Sequence, residues 1–564
     1  MIREALADIY PYGKRAVLFS VFTNILVLTP SLYMLQVYDR VVNSRSHTTL
    51  LMLTILVIGA YVFLEMLEWV RGQVMQNAGK ELDKRLREPV FSAMFSAKLG
   101  GSPGNGSQAL KDLKTVVDFL SSRTVLSLID APLAVMVLVL IFLIQPELGG
   151  FASAGALVLL GIGLLNERRI REPLKAANQG AVAAQTYARG VIRNAQVIES
   201  MGMLHHIHDR WLKIQKDSVG NQATASDYAG SNAALSKLIQ SLQGSLILGF
   251  GAWFAIRGEL GGGLMIVASI LGGRALAPLV QLIASWRQVL EARNAYDRLD
   301  DLLQAFPEPE DTMKLPPPQG RLSVEGVIAS PPHTQLQILK GVSFMLPPGG
   351  SMAIVGPSAS GKTSLARLLV GVWTPTYGKV RLDGSDISVW NKEELGPYVG
   401  YLPQNVELFD GTIAENVARF AEIDEEKVRE ACRMAGIEAM VGNLSQGYDT
   451  QIGEDGAFLS GGQRQGIALA RAVYGDPKFV VLDEPDSSLD EAGNASLLHA
   501  IGQLKERGAT VIVITHRKNM LKVLDNMLVL VDGRVHKFGP RNEVLAALQS
   551  GNASAAGKKA GGAA

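Results

Sequence analysis

A chain of 564 residues exceeds what one hydrophobic core holds, so at least two domains are expected. Its 54 Lys and Arg nearly balance 53 Asp and Glu, and a net charge of +1 gives no electrostatic case for a nucleic-acid partner. With 48% hydrophobic and 19% charged residues the composition points to membrane segments, while the single cysteine, Cys432, excludes an intramolecular disulfide and reads as a small thiol of the fold.

The first residues, MIREALADIYPYGKR, are too polar for a signal peptide, so the first apolar run is expected to be retained. Six apolar runs near the ~20 residues a helix needs to cross a bilayer lie before residue 290. They are Ala16–Tyr38, Leu50–Val70, Val125–Ile144, Gly149–Leu165, Leu238–Ile256 and Leu264–Ile283. The fourth is short and rich in Gly and Ala. Gln145-Pro146-Glu147 and the stretch around Arg257-Gly258-Glu259 join neighbouring spans too closely to hold a domain. The two long polar connections, Arg71–Arg123 and Asn166–Lys237, carry basic clusters at Lys84-Arg85-Leu86-Arg87 and Arg168-Arg169-Ile170-Arg171. Excess Lys and Arg places these connections, the N-terminus and the C-terminal half on the cytoplasmic side, although Arg40 and Arg45 weaken the bias. Amphipathic stretches such as Gln185–Glu199 predict that the connections continue the spans as helices.

Charges inside spans are costly and usually face a polar cavity. Asp130 lies early in span three and Arg274 deep in span six. Arg274 is read as lining a translocation path, with an ion pair or carbonyl contact within the bundle as the alternative. Glu65 and Glu68 sit toward the cytoplasmic end of span two and read as interfacial anchors.

Residues 1–305 therefore read as a transmembrane domain. Prolines at 307, 309 and 316–318 make residues 306–320 an extended linker. In residues 321–550 strands alternate with helices, the pattern of an α/β domain. The tail Gly551–Ala564 has little to bury and is expected to be disordered.

Within the α/β region, Ser351–Val355 reads as a buried strand and Ser364–Val370 as a helix. Between them runs Gly356-Pro357-Ser358-Ala359-Ser360-Gly361-Lys362-Thr363. Strand, glycine-rich loop and helix are the context of a P-loop, whose backbone N–H groups and helix N-terminus cradle phosphates. Lys362 is expected on the β- and γ-phosphates of ATP, and Thr363 on Mg²⁺. A second apolar run, Phe479–Leu482, ends in Asp483-Glu484. Asp483 at the strand's C-terminal end suits Mg²⁺, and Glu484 suits a general base on the attacking water.

Together with Leu459-Ser460-Gly461-Gly462-Gln463 and the following Arg464–Ala472, these motifs resemble the ABC transporter ATPases. The resemblance implies that Leu459–Gln463 is the signature that closes over ATP held by a second subunit. It implies that Gln404 is the Q-loop glutamine, touching Mg²⁺ and coupling to the membrane domain. Ser488, Leu489 and Asp490 match the D-loop, His516 the switch histidine, and Glu454 an exporter loop that senses coupling helices. Exporter ATPases usually stack adenine on an aromatic shortly after the domain's first strand. Here that stretch, Val327–His333, has no Phe, Tyr or Trp, leaving His333 or an apolar contact to substitute.

A finer resemblance, to PrtD-like permease/ATPases of type I secretion, is carried by Leu32–Val41, Gln196–Met203, Gly273–Pro278 and Leu402–Asn416, and covers about residues 10 to 545. No peptidase-like domain stands before the first span, which agrees with the shorter branch of that family. The implied fold is a six-helix transmembrane domain of ABC exporter type, with long cytoplasmic helical extensions, followed by an α/β P-loop ABC ATPase domain. The implied function is ATP-driven export of unfolded proteins with an uncleaved C-terminal signal, of protease or calcium-repeat type. A homodimer in the lipid of the bacterial inner membrane would work with a periplasmic adaptor and a TolC-type outer-membrane protein. A lipid or small-molecule exporter of the same architecture is the alternative, and a soluble regulatory or nucleic-acid ATPase is disfavoured by the six spans.

Overall fold

The computed structural model describes residues 2–101, 106–307, 314–332, 334, 336–453 and 456–549. The tail Gly551–Ala564, His333, Glu454 and part of the proline-rich linker lie outside the described residues. The chain divides into two compact units, residues 1–98 with 103–308, and residues 309–564 with 99–102.

The first unit is helical. Among the described residues, six helices are long and apolar enough to cross a membrane: Tyr10–Val42, His47–Leu99, Arg123–Ile144, Pro146–Arg193, Leu204–Ile256 and Gly262–Ala284. Every apolar run read from sequence lies within one of them, including the short fourth. The first is interrupted at Val27–Leu28, where Pro30 cannot continue the hydrogen-bond ladder, and it ends in a π-helical turn, Val37–Val42. Pro146 opens the fourth helix at its first turn, after an extended Gln145, which makes the tight reversal between spans three and four. At 1.5 Å per residue, the 53-residue helices His47–Leu99 and Leu204–Ile256 are about 80 Å long, well beyond a ~30 Å hydrocarbon layer. The polar connections are thus helical continuations of the spans.

Apolar side chains such as Phe63, Leu143, Leu157 and Ile256 are exposed on this unit, as a lipid-facing surface requires. The seams between helices carry polar ties instead. Asn232 donates to Asn166 Oδ1 at 2.7 Å, Gln240 to the Gly273 carbonyl at 2.8 Å, and Ser269 to the Gly244 carbonyl at 2.7 Å. Asp130 is not free to face a cavity. Arg71 Nη1 donates to its Oδ1 at 2.9 Å and Oδ2 at 3.1 Å, and to Ser20 Oγ at 3.0 Å. Asn24 donates to Asp130 Oδ1 at 3.3 Å. Helices one, two and three are pinned together by this cluster.

In the second unit, ten strands are found among the described residues: β1 (Leu322–Ala329), β2 (Leu339–Leu346), β3 (Ser351–Val355), β4 (Tyr377–Leu382), β5 (Ser385–Asp386), β6 (Val399–Leu402), β7 (Phe479–Asp483), β8 (Thr510–Ile514), β9 (Asn526–Val531) and β10 (Arg534–Pro540). An antiparallel sheet runs β2-β1-β4-β5. The other sheet runs β10-β9-β3-β8-β7-β6 and is parallel except for β10. β7 and β8 are buried at every residue, which is why they read as unbroken apolar runs rather than alternating ones. The C-terminal ends of β3, β7 and β8 lie side by side, where parallel sheets bind ligands.

Replacing Asp130 with Ala leaves Arg71, whose side chain is 7% exposed, without its counter-ion. A loss of about 3 kcal/mol is expected, read as a lowered Tm of the detergent-solubilised chain. The Arg71→Ala/Asp130→Ala double variant should lose less than the sum of the single losses, and additive losses would show that the pair is not coupled.

Candidate functional site

β3 delivers the chain into the phosphate loop, and helix Lys362–Leu369 leaves it. Gly361 caps that helix at φ +99°, a conformation that L side chains avoid. A Cβ on Gly356 would lie 2.1 Å from the Leu530 carbonyl oxygen, so no side chain fits there. The first-turn N–H groups of the helix have no intrahelical acceptor, and together with its dipole they form an anion cradle. The Ser360 hydroxyl is buried inside this loop without a partner. Lys362 Nζ donates to the carbonyls of Gly356 at 3.0 Å and Pro357 at 2.9 Å. Burial lowers its pKa, against the opposing pull of Glu484 and Asp483.

Asp483 ends β7 and is 0% exposed. Burial pushes its carboxyl up, while Thr363, Arg367 and Lys362 draw it down. Neither of its oxygens accepts a well-formed hydrogen bond. A buried carboxylate with two unpartnered oxygens beside a threonine hydroxyl and a triphosphate cradle fits a hard, oxygen-seeking cation such as Mg²⁺.

Glu484 is set differently. Its φ of +50° is in the left-handed region, a strain that non-glycine residues bear mainly at functional sites. Gln404 donates to its Oε2 at 2.9 Å, and His516 Nε2 lies 3.5 Å from its Oε1. Gln404 and His516 are separated from Glu484 by 80 and 32 residues, and the ends of β6, β7 and β8 bring all three together. Gln404 also borders a cleft of about 510 Å³ lined by Thr363, Arg367, Tyr401 and Phe409.

The signature forms a second cluster. Ser460 caps helix Gly461–Val473 in a capping box: its Oγ accepts from Gln463 N at 3.3 Å, and its own N–H reaches Gln463 Oε1 at 2.8 Å. Leu459 and Leu489 pack against the same apolar core. Asp490 caps helix Glu491–Glu506 through Gly493 N at 2.8 Å. Ser488 stands beside Gly461, about 3.9 Å from where a Cβ would be. Among the described residues no hydrogen bond joins Leu459–Gln463 to Gly356–Ser364.

Gln465, which the motif reading passed over, ties the two clusters together. It donates to the carbonyl of Pro485, and its Oε1 accepts from Ser488 N at 3.1 Å. The signal was present in sequence, because Gln465, Ala468, Leu469 and Ala472 form one helical stripe and the glutamine is its polar member. Asp486 was also passed over. It is 4% exposed, accepts from Thr515 Oγ1 at 3.2 Å and pairs with Arg517 at 3.3 Å, holding the segment on either side of His516. Cys432 is fully buried, and burial pushes its thiol to about 12, so it stays protonated and unreactive.

In the membrane unit, Arg274 is half-buried and has no ion pair or hydrogen bond among the described residues. It lines a groove of about 520 Å³ with Gln240, Ser241, Ser245, Ser269 and Gly273.

A P-loop, paired carboxylates, glutamine and histidine on a parallel sheet, carried on one chain with six apolar helices, define an ATP-driven transporter of the ABC class. The ABC transporter family model matches residues 339–487, and the ABC transporter transmembrane region model matches residues 16–271. The chain is 40% identical over 528 residues to the type I secretion system ATP-binding protein PrsD of Rhizobium meliloti (strain 1021), covering 93% of this chain and 91% of that one. It is 27% identical to the leukotoxin translocation ATP-binding protein LktB of Mannheimia glucosida, covering 93% and 75%. The solved structure of a bacterial Atm1-family ABC exporter with ATP bound superimposes with a TM-score of 0.82 at 21% identity, over 96% of both chains, which shows the shared fold. The chain belongs to the ABC transporters of type I secretion systems, and it is an ATPase.

Replacing Gln465 with Leu preserves bulk but leaves the Ser488 N–H and the Pro485 carbonyl unpaired. With 1–3 kcal/mol at stake for a buried group, ATP turnover should fall about tenfold with little change in KM. Unchanged turnover would show that the bridge does not position the carboxylate loop.

Proposed function

We propose that this chain is the motor of a type I secretion system. In this reading it exports unfolded proteins with an uncleaved C-terminal signal, of protease or calcium-repeat type, from the cytoplasm in one step. The observation that carries the reading is the union, on one chain, of an exporter-type membrane unit with an assembled ATP site, alongside 40% identity to PrsD across 91% of its length. The basic clusters on the long connections favour a bacterial inner-membrane setting with the ATPase unit in the cytoplasm. A periplasmic adaptor and a TolC-type outer-membrane tunnel would complete the route.

The working unit is a homodimer. Among the described residues of one chain Leu459–Gln463 makes no hydrogen bond to Gly356–Ser364, so a second copy is the simplest source of the surface that the signature closes on. In that assembly the N–H groups of Gly356–Ser364 and the Lys362 ammonium hold the β- and γ-phosphates. Thr363, Asp483 and Gln404 are the residues that would hold Mg²⁺, which supplies neutralisation of phosphate charge when bound. Glu484 takes the proton from the attacking water, and His516 orients it at the γ-phosphate. Ser460, Gly461 and Gly462 present a helix N-terminus to the partner's ATP, with Ser488, Leu489 and Asp490 flanking them. Hydrolysis frees this clamp, and Gln404 couples the change to the membrane unit. Arg274 lines the path of the exported chain, and the hydroxyl- and amide-lined groove around it supports that role.

Glu484→Gln should retain ATP binding, lower turnover by roughly 10² or more and accumulate an ATP-dependent closed dimer, scored by crosslinking and ATPase assay. Normal hydrolysis would remove Glu484 as the base. In proteoliposomes, a C-terminal signal peptide should modulate the ATPase where lipids and drugs do not, and the reverse pattern would support the lipid or small-molecule exporter.

Arg274→Ala should lower export and signal-stimulated ATPase together, and unchanged values for both would take Arg274 out of the path.

A further inference from the structure

The phosphate end of the ATP site is fully furnished, whereas the β1–β2 connection offers the base no aromatic among its described residues. The β1–β2 connection passes over the phosphate loop: Ile338 Cγ2 lies 3.0 Å from where a Cβ on Gly361 would be. The described residues of this connection, from Ser330 to Ile338, include two prolines and no aromatic. An adenine held by those described residues rests on aliphatic and prolyl surface.

An aromatic without a task lies next to the signature. Phe458 immediately precedes Leu459-Ser460 and is 80% exposed, the highest value among the described large apolar side chains of the ATPase unit. Singly exposed apolar residues are ordinary, so exposure alone says nothing. Its placement says more. The Phe458 ring rests on the backbone of Gly453, whose φ is +71° and where an added Cβ would meet Phe458 Cε2 at 2.8 Å. Leu459 is anchored in the core, and the Ser460–Gln463 capping box fixes the backbone that follows. The aromatic is therefore presented to solvent from a braced segment. Two residues of backbone and a phenyl side chain are comparable in length to a triphosphate and ribose. With Ser460 at the γ-phosphate of the partner's ATP, Phe458 comes within reach of the base.

We propose that Phe458 of one subunit stacks on the adenine of ATP held by the other, supplying in trans an aromatic contact that the described residues of the β1–β2 connection do not offer. This rests on the composite-site reading given above. Stacking accepts any π-face, so the site favours nucleotides over base-free phosphates without strong choice among bases.

The test uses the full-length chain in detergent, with tripolyphosphate as the base-free competitor. Phe458→Ala should raise the KM for ATP roughly tenfold, as loss of one base–aromatic stack does, and leave tripolyphosphate inhibition unchanged. Phe458→Trp should restore the KM. In mixed dimers of Phe458→Ala and Lys362→Ala chains, the intact phosphate loop faces a native Phe458 of the partner subunit, so ATP affinity at that site should return to the wild-type value. If Phe458→Ala leaves the KM for ATP unchanged, or shifts ATP and tripolyphosphate alike, the assignment is wrong and Phe458 does not contact the base. If the Glu484→Gln chain forms no ATP-dependent dimer, the composite site itself falls and takes this assignment with it.

Discussion

Asp483 and Glu484 are adjacent carboxylates with incompatible requirements, and the ATP site depends on keeping them apart. In the proposed mechanism Asp483 is a cation ligand, which must be buried and rigid, and Glu484 a base, which must reach water. Successive residues of a strand already point to opposite faces. The chain adds a left-handed turn at Glu484, φ +50°, which ends β7 there and sends the second carboxylate outward. Such a conformation costs on the order of 1 kcal/mol or more, so its surroundings must impose it. Glu484 N donates to the Ile514 carbonyl at 3.0 Å, Pro485 is held by Gln465, and Asp486 is held by Thr515 and Arg517. Three consecutive residues are thus tied to the end of β8, to helix Gly461–Val473 and to the segment that follows β8.

Those ties also explain how distant motifs can act together. Gln465 grips the Pro485 carbonyl with its amide N–H and the Ser488 N–H with its amide oxygen. The signature helix, the carboxylate loop and the D-loop therefore share one side chain, and a displacement of Ser460 is felt at Glu484. Gln404 and His516 close on Glu484 from neighbouring strand ends, so Glu484 is tied both to the cleft beside β6 and to the segment after β8. Coupling of this kind needs no flexible messenger, only packed elements that move as pieces.

Much of this was legible in sequence because each motif sits at a boundary where local chemistry is loud. Glycines mark the phosphate loop, acids end an apolar strand, and twenty-residue apolar runs fit a bilayer. The pairwise ties were not legible. Gln465 is one polar residue in a helix of small apolar ones, and its partners lie 20 and 23 residues away across a strand and a loop. Asp486 carries no signal of its own in sequence, and its burial follows only from how β8 places Thr515 and Arg517. Asp130 was visible as a charge in a span, but its partner Arg71 stood at the start of a polar connection and read as a cytoplasmic cation. The distance between them in sequence, 59 residues, is crossed only when helices two and three pack.

The membrane unit handles the same difficulty in two ways. Arg71 is buried, yet it donates to Asp130 and Ser20, and Asn24 donates to Asp130 in turn, so its charge is balanced inside the bundle. A residue so enclosed is expensive to expose, and it fixes three helices relative to one another. Arg274 has no such partner among the described residues. An arginine at membrane depth costs about 2.5–3.5 kcal/mol on insertion scales unless something solvates it. The hydroxyls of Ser241, Ser245 and Ser269 and the Gln240 amide line the groove it faces, giving room for water or for the polar groups of another chain. A fixed ion pair suits a joint. An arginine left to be solvated by whatever enters its groove suits a conduit, and this contrast within one bundle is what supports reading Arg274, and not Arg71, as part of the export path.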